Sequence, residues 1–213
     1  MTHLHAALAL ASGFRRPVSA LVALVLVGTA IPAIAAVENP TGDAKLMARL
    51  TGGEVISRIT ETGPTRSVQV MGLINHPASA AFRVFTDYPR RPAIYNTTKK
   101  VEVRKADARN PQIYYLMGFP WPIGDRWVHD SEQLEPDSQH MTWRMLKGNV
   151  NTYSGEAQFF PVGAGKCVLS FQAQADPNIS VIPAWLMAQV QRLLLPAVVT
   201  SLGRYMDSGR HHH

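Results

Sequence analysis

Cysteine is nearly absent from this sequence: Cys167 is the only one in 213 residues, so no disulfide can form within the chain. Histidine is sparse away from the termini, at His76, His129 and His140. No His or Cys pair has metal-ligand spacing, so neither a metal nor a cofactor is expected. Gly163-x-Gly165 reads as a turn, not a phosphate loop. Charged residues make up only 17% and hydrophobic ones 46%, which excludes a disordered chain and a polytopic membrane protein. What remains is a globular domain with an ordinary core.

The first 35 residues follow another plan. Arg15 and Arg16 precede an apolar run from Val18 to Gly28, and the segment ends in Ala33-Ile34-Ala35: a basic region, an apolar region and a small-x-small cleavage site, as in a signal peptide. The run is interrupted by Gly28 and Pro32 and is short for a membrane span. The expected organisation is a signal peptide over 1–35, a linker over 36–42, one domain over 43–208 and a disordered tail over 209–213. Export points to a periplasmic or secreted protein, where nucleic acid is not a partner. In an oxidising compartment a single cysteine leaves stability to packing. The net charge is +6. Arg90, Arg91, Lys99, Lys100, Arg104 and Lys105 form either a patch for anionic headgroups or, with Asp87, Glu102 and Asp107 interspersed, a solvated face.

Within the domain, Asp43 is placed to cap a helix over Ala44 to Leu50, stopped by Gly52-Gly53. Glu54 to Thr60 and Ser67 to Ile74 read as a strand pair around Gly63-Pro64. Pro77 opens a helix through Phe85, with Pro77 in its first turn; Pro89 and Pro92 then break it. Six strand-like runs follow: Val101 to Arg104, Gln112 to Phe119, Arg126 to Leu134, His140 to Leu146, Tyr153 to Phe160 and Lys166 to Gln174. Their short connections require antiparallel neighbours, hence a meander. Trp185, Leu186, Val190, Leu193, Leu194, Val198, Leu202 and Tyr205 then recur at helical spacing, too wide an apolar arc for a surface helix. Pro196 should bend this helix. The pattern is α+β, with a curved antiparallel sheet wrapped around a long C-terminal helix. Ile113, Tyr115, Met117 and Phe119, with Met141, Trp143 and Met145, and Leu169 with Phe171, face either a solid core or a ligand.

Three stretches carry a family resemblance over roughly Arg66 to Met206. Asn75-His76-Pro77 through Thr86-Asp87-Tyr88, followed by Val101-Glu102-Val103, is one; Pro120-Trp121-Pro122-Ile123-Gly124-Asp125-Arg126 is the second. The third runs from Tyr153-Ser154-Gly155 to Asp176-Pro177 and Ile182-Pro183-Ala184-Trp185-Leu186. In this order they resemble the START-like (SRPBCC) superfamily, with its polyketide cyclase/dehydrase-like and coenzyme Q-binding members. Trp127 stands where many relatives have Asp. The resemblance implies a helix-grip fold and an internal hydrophobic cavity between sheet and helix, holding a lipid, sterol, isoprenoid or polyketide-like molecule.

The candidate ligand-binding residues are Tyr115, Met117, Trp121, Arg126, Val128, Asp130, Trp143, Met145, Tyr153, Trp185, Val190 and Leu194. Methionines suit a shape-tolerant pocket. Arg126 and Asp130 share a strand face with Val128. Arg126 is then either a polar anchor for a ligand or the partner of Asp130 or Asp125 at the sheet edge. Trp121 reads as lid, membrane-touching tip or edge cap, and Trp185 invites the same readings. His129, Asp130 and Ser131 cannot form a triad, because consecutive strand positions face opposite ways. No catalytic residue is assigned. The sequence reads as a monomeric, non-enzymatic carrier of a hydrophobic small molecule, with transient membrane contact. The alternatives are a cyclase or aromatase using Tyr153, His129 or Asp130, and an interaction module without a ligand.

Overall fold

The computed structural model describes residues 39–62, 65–121, 123–179 and 184–209. The expected signal segment, the Gly63-Pro64 turn, Pro122, Ile182-Pro183 and the last four residues lie outside them. Where a linker was expected, Pro40–Gly42 form a 3-10 turn, with Asn39 accepting the Thr41 N–H at 3.0 Å. Asp43 then caps helix α1 (Ala44–Thr51), its Oδ1 accepting from the Lys45 and Leu46 amides at 2.9 and 3.0 Å, which satisfies two of the unpaired donors of the first turn.

Strands β1 (Ile56–Thr62) and β2 (Thr65–Ile74) form an antiparallel pair. Helix α2 (Ala78–Phe85) follows, with Pro77 at its N-cap and not inside the first turn. Pro89 and Pro92 do not leave the chain without structure. Each sits in the first turn of a new short element, a 3-10 turn over Tyr88–Arg90 and helix α3 over Arg91–Ile94, where a missing N–H costs nothing.

The meander is present as β3 (Thr98–Lys105), β4 (Gln112–Gly118), β5 (Asp125–Glu135), β6 (His140–Gly148), β7 (Thr152–Val162) and β8 (Lys166–Asp176). Pairing of β2 with β8 joins the hairpin to it, giving one eight-stranded antiparallel sheet in the order β1-β2-β8-β7-β6-β5-β4-β3. The C-terminal helix comes in three parts: α4 (Ala184–Gln189), a π turn (Val190–Leu194) and α5 (Leu195–Asp207). Pro196 falls in the first turn of α5, directly after the wider turn, so the irregularity expected at the proline takes the form of a π segment.

Two close approaches set the space inside. A Cβ on Gly72 of β2 would lie 2.7 Å from Val199 Cγ1 of α5, so only glycine lets the helix sit this near the sheet. Across the sheet, Glu132, Trp143, Gly155, Ala173 and Val68 are successive register partners. A Cβ on Gly155 would collide with the Trp143 ring and the Gln172 carbonyl; the indole lies where that side chain would be. At one end of the sheet the interior is filled by α2 and α5, with Phe82 and Phe85 edge-on to Phe159 at 6.0 and 5.4 Å between ring centres. At the other, Ile59 of β1, Val128 of β5 and Val198 of α5 line one common space, which requires the sheet to wrap around the helix. Gly72→Val should lift α5 and cost about 1–3 kcal/mol, read as a lowered midpoint in denaturant unfolding; an unchanged midpoint would contradict this seat.

Candidate functional site

The space between α5, the π turn and the sheet is a cavity of ≈ 460 Å³, within the range of small-molecule sites. Its walls are apolar because inward strand positions carry Val68, Met117, Val128 and Phe171, while Ala173, Ala175 and Ala197 keep the interior from being filled. Leu193 of the π turn lines the cavity and is also 56% exposed, and Asn96, Thr152 and Arg204 are exposed lining residues too, so the cavity is open to solvent.

A smaller lobe of ≈ 60 Å³ adjoins the cavity, sharing Met117, Tyr153 and Phe171 with it as walls. This lobe is polar. Asp130 and Glu132, two residues apart on β5 and so on one face, are 1% and 3% exposed. Facing them is Arg91 of α3. Its guanidinium lies over the Phe85 ring at 4.2 Å, with the rings of Tyr88, Tyr95 and Tyr115 between 5.8 and 6.0 Å away, an arrangement that offsets part of the desolvation of a buried cation. Glu132 accepts from the Tyr88 hydroxyl at 2.5 Å and the Tyr115 hydroxyl at 2.9 Å. Asp130 Oδ1 and Arg91 Nε are buried with no hydrogen-bond partner among the described residues.

These surroundings decide the protonation states. Burial works against the charge on Arg91, but Tyr115, Tyr95 and Glu132 outweigh it and hold the guanidinium firmly protonated. Burial also raises both carboxyls; Glu132 is held back by Arg91 and its two tyrosine donors. Asp130 is pushed up to about 8 by burial and by the neighbouring Glu132 charge. Two adjacent carboxyls out of water share one proton; Glu132, with two tyrosine donors beside Arg91, is the better anion, and Asp130, with only its own backbone amide as donor, is the acid. Burial raises Tyr115 and Tyr153 too, leaving both neutral. Trp143 Nε1 lies near the Tyr153 hydroxyl without the geometry of a hydrogen bond, and its ring stacks on Phe171 at 5.3 Å.

Of the residues singled out in the sequence, Met117, Arg126, Val128, Tyr153, Val190 and Leu194 line the main cavity, and Tyr115, Asp130 and Trp143 line the lobe. Three fall elsewhere. Met145 packs beside Val128 and Tyr115 without reaching either space. Trp121 is 79% exposed in its turn and Trp185 is 50% exposed; neither lines the cavity. Arg126 does not pair with the Asp130 or Asp125 carboxylate. It donates instead to the Pro177 and Asp125 carbonyl oxygens, both at 3.0 Å, while Asp125 pairs with Lys99 at 2.6 Å.

Most of the basic run is a solvated face: Arg90 pairs with Asp87 at 2.9 Å, and Lys100 and Arg104 both pair with Glu102. Arg91 is the exception, and its role was hidden in that run. A signal for it existed, since Val128, Asp130, Glu132 and Leu134 alternate on β5, and two inward carboxyls call for a cation. His129 and Ser131 take the opposite face from Asp130, so no triad forms. Burial pushes the Cys167 thiol up to about 12, which leaves it unreactive. No metal-holding cluster occurs among the described residues, and none of their helices is long and apolar enough to cross a membrane.

Comparison with known proteins follows the same lines. Residues 65–205 match the family described as polyketide cyclase / dehydrase and lipid transport. Among solved structures, the Zhui aromatase/cyclase from Streptomyces sp. R1128 is 18% identical, covering 68% of this chain and 96% of its own, with a TM-score of 0.56. The STAR-related lipid transfer protein from Xanthomonas axonopodis is 17% identical over 72% of this chain and 93% of its own, TM-score 0.56. Human STARD10 is 15% identical over 82% and 84%, also at 0.56. At these identities the likeness establishes the helix-grip, START-like fold. No curated protein matches in sequence.

A raised carboxyl makes a folded protein lose stability as pH rises. Because Asp130 holds its proton to about 8 when folded and only to roughly 4 when unfolded, its contribution is full below pH 4 and lost on the way to pH 8. Asp130→Asn should flatten that decline in unfolding free energy between pH 5 and 8. An unchanged pH profile would contradict the assignment.

Proposed function

We propose, since the chain belongs to the polyketide cyclase / dehydrase and lipid transport family, that it binds a hydrophobic small molecule in this cavity and carries it, without chemically changing it. The observation behind this reading is the apolar space of ≈ 460 Å³; protein cores pack densely, so a space this large is best accounted for by a ligand. Burying about 200 Å² of apolar ligand surface contributes roughly 5 kcal/mol, and selectivity rests on shape and on a few polar atoms. Arg15, Arg16 and the apolar segment after them support export to the periplasm or beyond, which the N-terminal sequence of the mature protein tests. The exposed Trp121, Trp185 and Leu193 support brief contact with a membrane during loading or release.

One observation favours a second reading, cyclisation of a reactive chain. Asp130, poised at about 8 beside the cavity, is suited to acid/base work near neutrality. Turnover of a polyketone by the purified protein, abolished in Asp130→Asn, would establish it.

Ala175→Trp projects an indole into the cavity from β8. It should weaken binding of apolar fluorescent probes at least ~10-fold, a loss of about 1.4 kcal/mol, with thermal stability retained. Undiminished binding would mean that the ligand sits elsewhere.

A further inference from the structure

We infer that the polar lobe at the buried end of the cavity is a head-group subsite for an uncharged carbonyl oxygen, received between the Arg91 Nε–H and the Asp130 carboxyl. This rests on the cavity reading above and narrows its ligand to apolar molecules bearing a ketone-type carbonyl.

The geometry begins with Arg91 Nε and Asp130 Oδ1, which with the indole Trp143 Nε1 are the buried polar atoms without partners, among the described residues, on side chains that line one lobe of ≈ 60 Å³. That is several times the roughly 10–15 Å³ one water needs, and enough for a small head group. Buried polar groups without partners are uncommon and costly, and here Arg91 Nε and Asp130 Oδ1 both belong to side chains of the lobe that adjoins the main cavity. Asp130 is faced by Glu132 on its own strand, Tyr115 from β4, Tyr153 from β7, and Arg91 and Tyr88 from the segment before β3. With the shared proton on Asp130, both unpartnered groups offer a donor.

Two converging donors select an acceptor. An ammonium head would add a second cation to a site where Arg91 already balances Glu132, and a neutral amine has only one lone pair to offer two donors. A carboxylate head would add a second anion to a site where Glu132 already balances Arg91, and its desolvation would not be repaid. A carbonyl oxygen, with two lone pairs and no charge, satisfies both donors and leaves the lobe neutral.

The test compares undecane, 2-undecanone and undecanoic acid, delivered from cyclodextrin, in competition with an apolar fluorescent probe. The wild-type protein should bind the ketone ~10-fold or more tightly than the alkane, the worth of about one to two hydrogen bonds in a dry site. It should also bind the ketone more tightly than the acid at pH 7. Arg91→Met and Asp130→Leu should reduce the ketone preference to within about twofold. Asp130→Asn, which keeps a donor, should retain it and should abolish the loss of ketone affinity that the wild type shows above pH 8.

Infrared spectroscopy of bound 2-undecanone supplies a readout independent of stability. The carbonyl stretch should lie lower in the wild type than in Arg91→Met. Equal affinity for ketone and alkane, tighter binding of the acid, or a stretch indifferent to Arg91 would overturn the subsite while leaving the cavity reading intact. Failure of all three ligands to displace the probe would overturn the cavity reading itself, and the subsite with it.

Discussion

A guanidinium that cannot shed its proton has been placed inside this protein, and much of the interior is arranged around it. Arg91 reaches the lobe because Pro89 and Pro92 each start a short turn, bringing the chain back under the sheet. Its charge requires an anion, and Glu132 supplies one, kept ionised by the hydroxyls of Tyr88 and Tyr115. With Glu132 charged, Asp130 next to it must stay protonated. The cation thus sets which of the two carboxyls is charged, while burial keeps Tyr88, Tyr115 and Tyr153 neutral around them.

Packing sets where this cluster meets the ligand space. The inward row from Glu132 through Trp143, Gly155 and Ala173 to Val68 goes from polar to large, to nothing, to small. Trp143 uses the space that Gly155 leaves, and its indole separates the solid core from the lobe. Farther along, the alanines of β8 and α5 hold back from the centre while Gly72 fixes the helix against β2. The same helix is thus tightly seated on one strand and held off the rest, and that difference is the cavity.

Much of this was legible in the sequence, for identifiable reasons. Strands from β4 to β8 declared themselves through alternation of bulky residues and short turns, and the C-terminal helix through its wide apolar arc; both are local patterns with a fixed period. Asp43 as a cap was equally local. The pairing of β2 with β8 was not, because it joins segments about a hundred residues apart. Pro196 marked the place of an irregularity in the helix, but not that it takes the form of a π turn over Val190–Leu194. Arg91 was obscured by company: a charge among six in a basic run looks like surface, and only the inward carboxyls on β5 mark it as different. Arg126, on the same face as those carboxyls, was the more visible candidate, yet backbone carbonyls hold it.

A carrier of this design has its cavity occupied by a ligand in the working protein. Native mass spectrometry of the protein purified from its source without detergent tests this directly, with organic extraction to identify what is released. One apolar molecule per chain is expected, carrying a carbonyl and lost on unfolding. A protein that is free of ligand, and that also takes up nothing from panels of lipids, sterols and quinones, would contradict it.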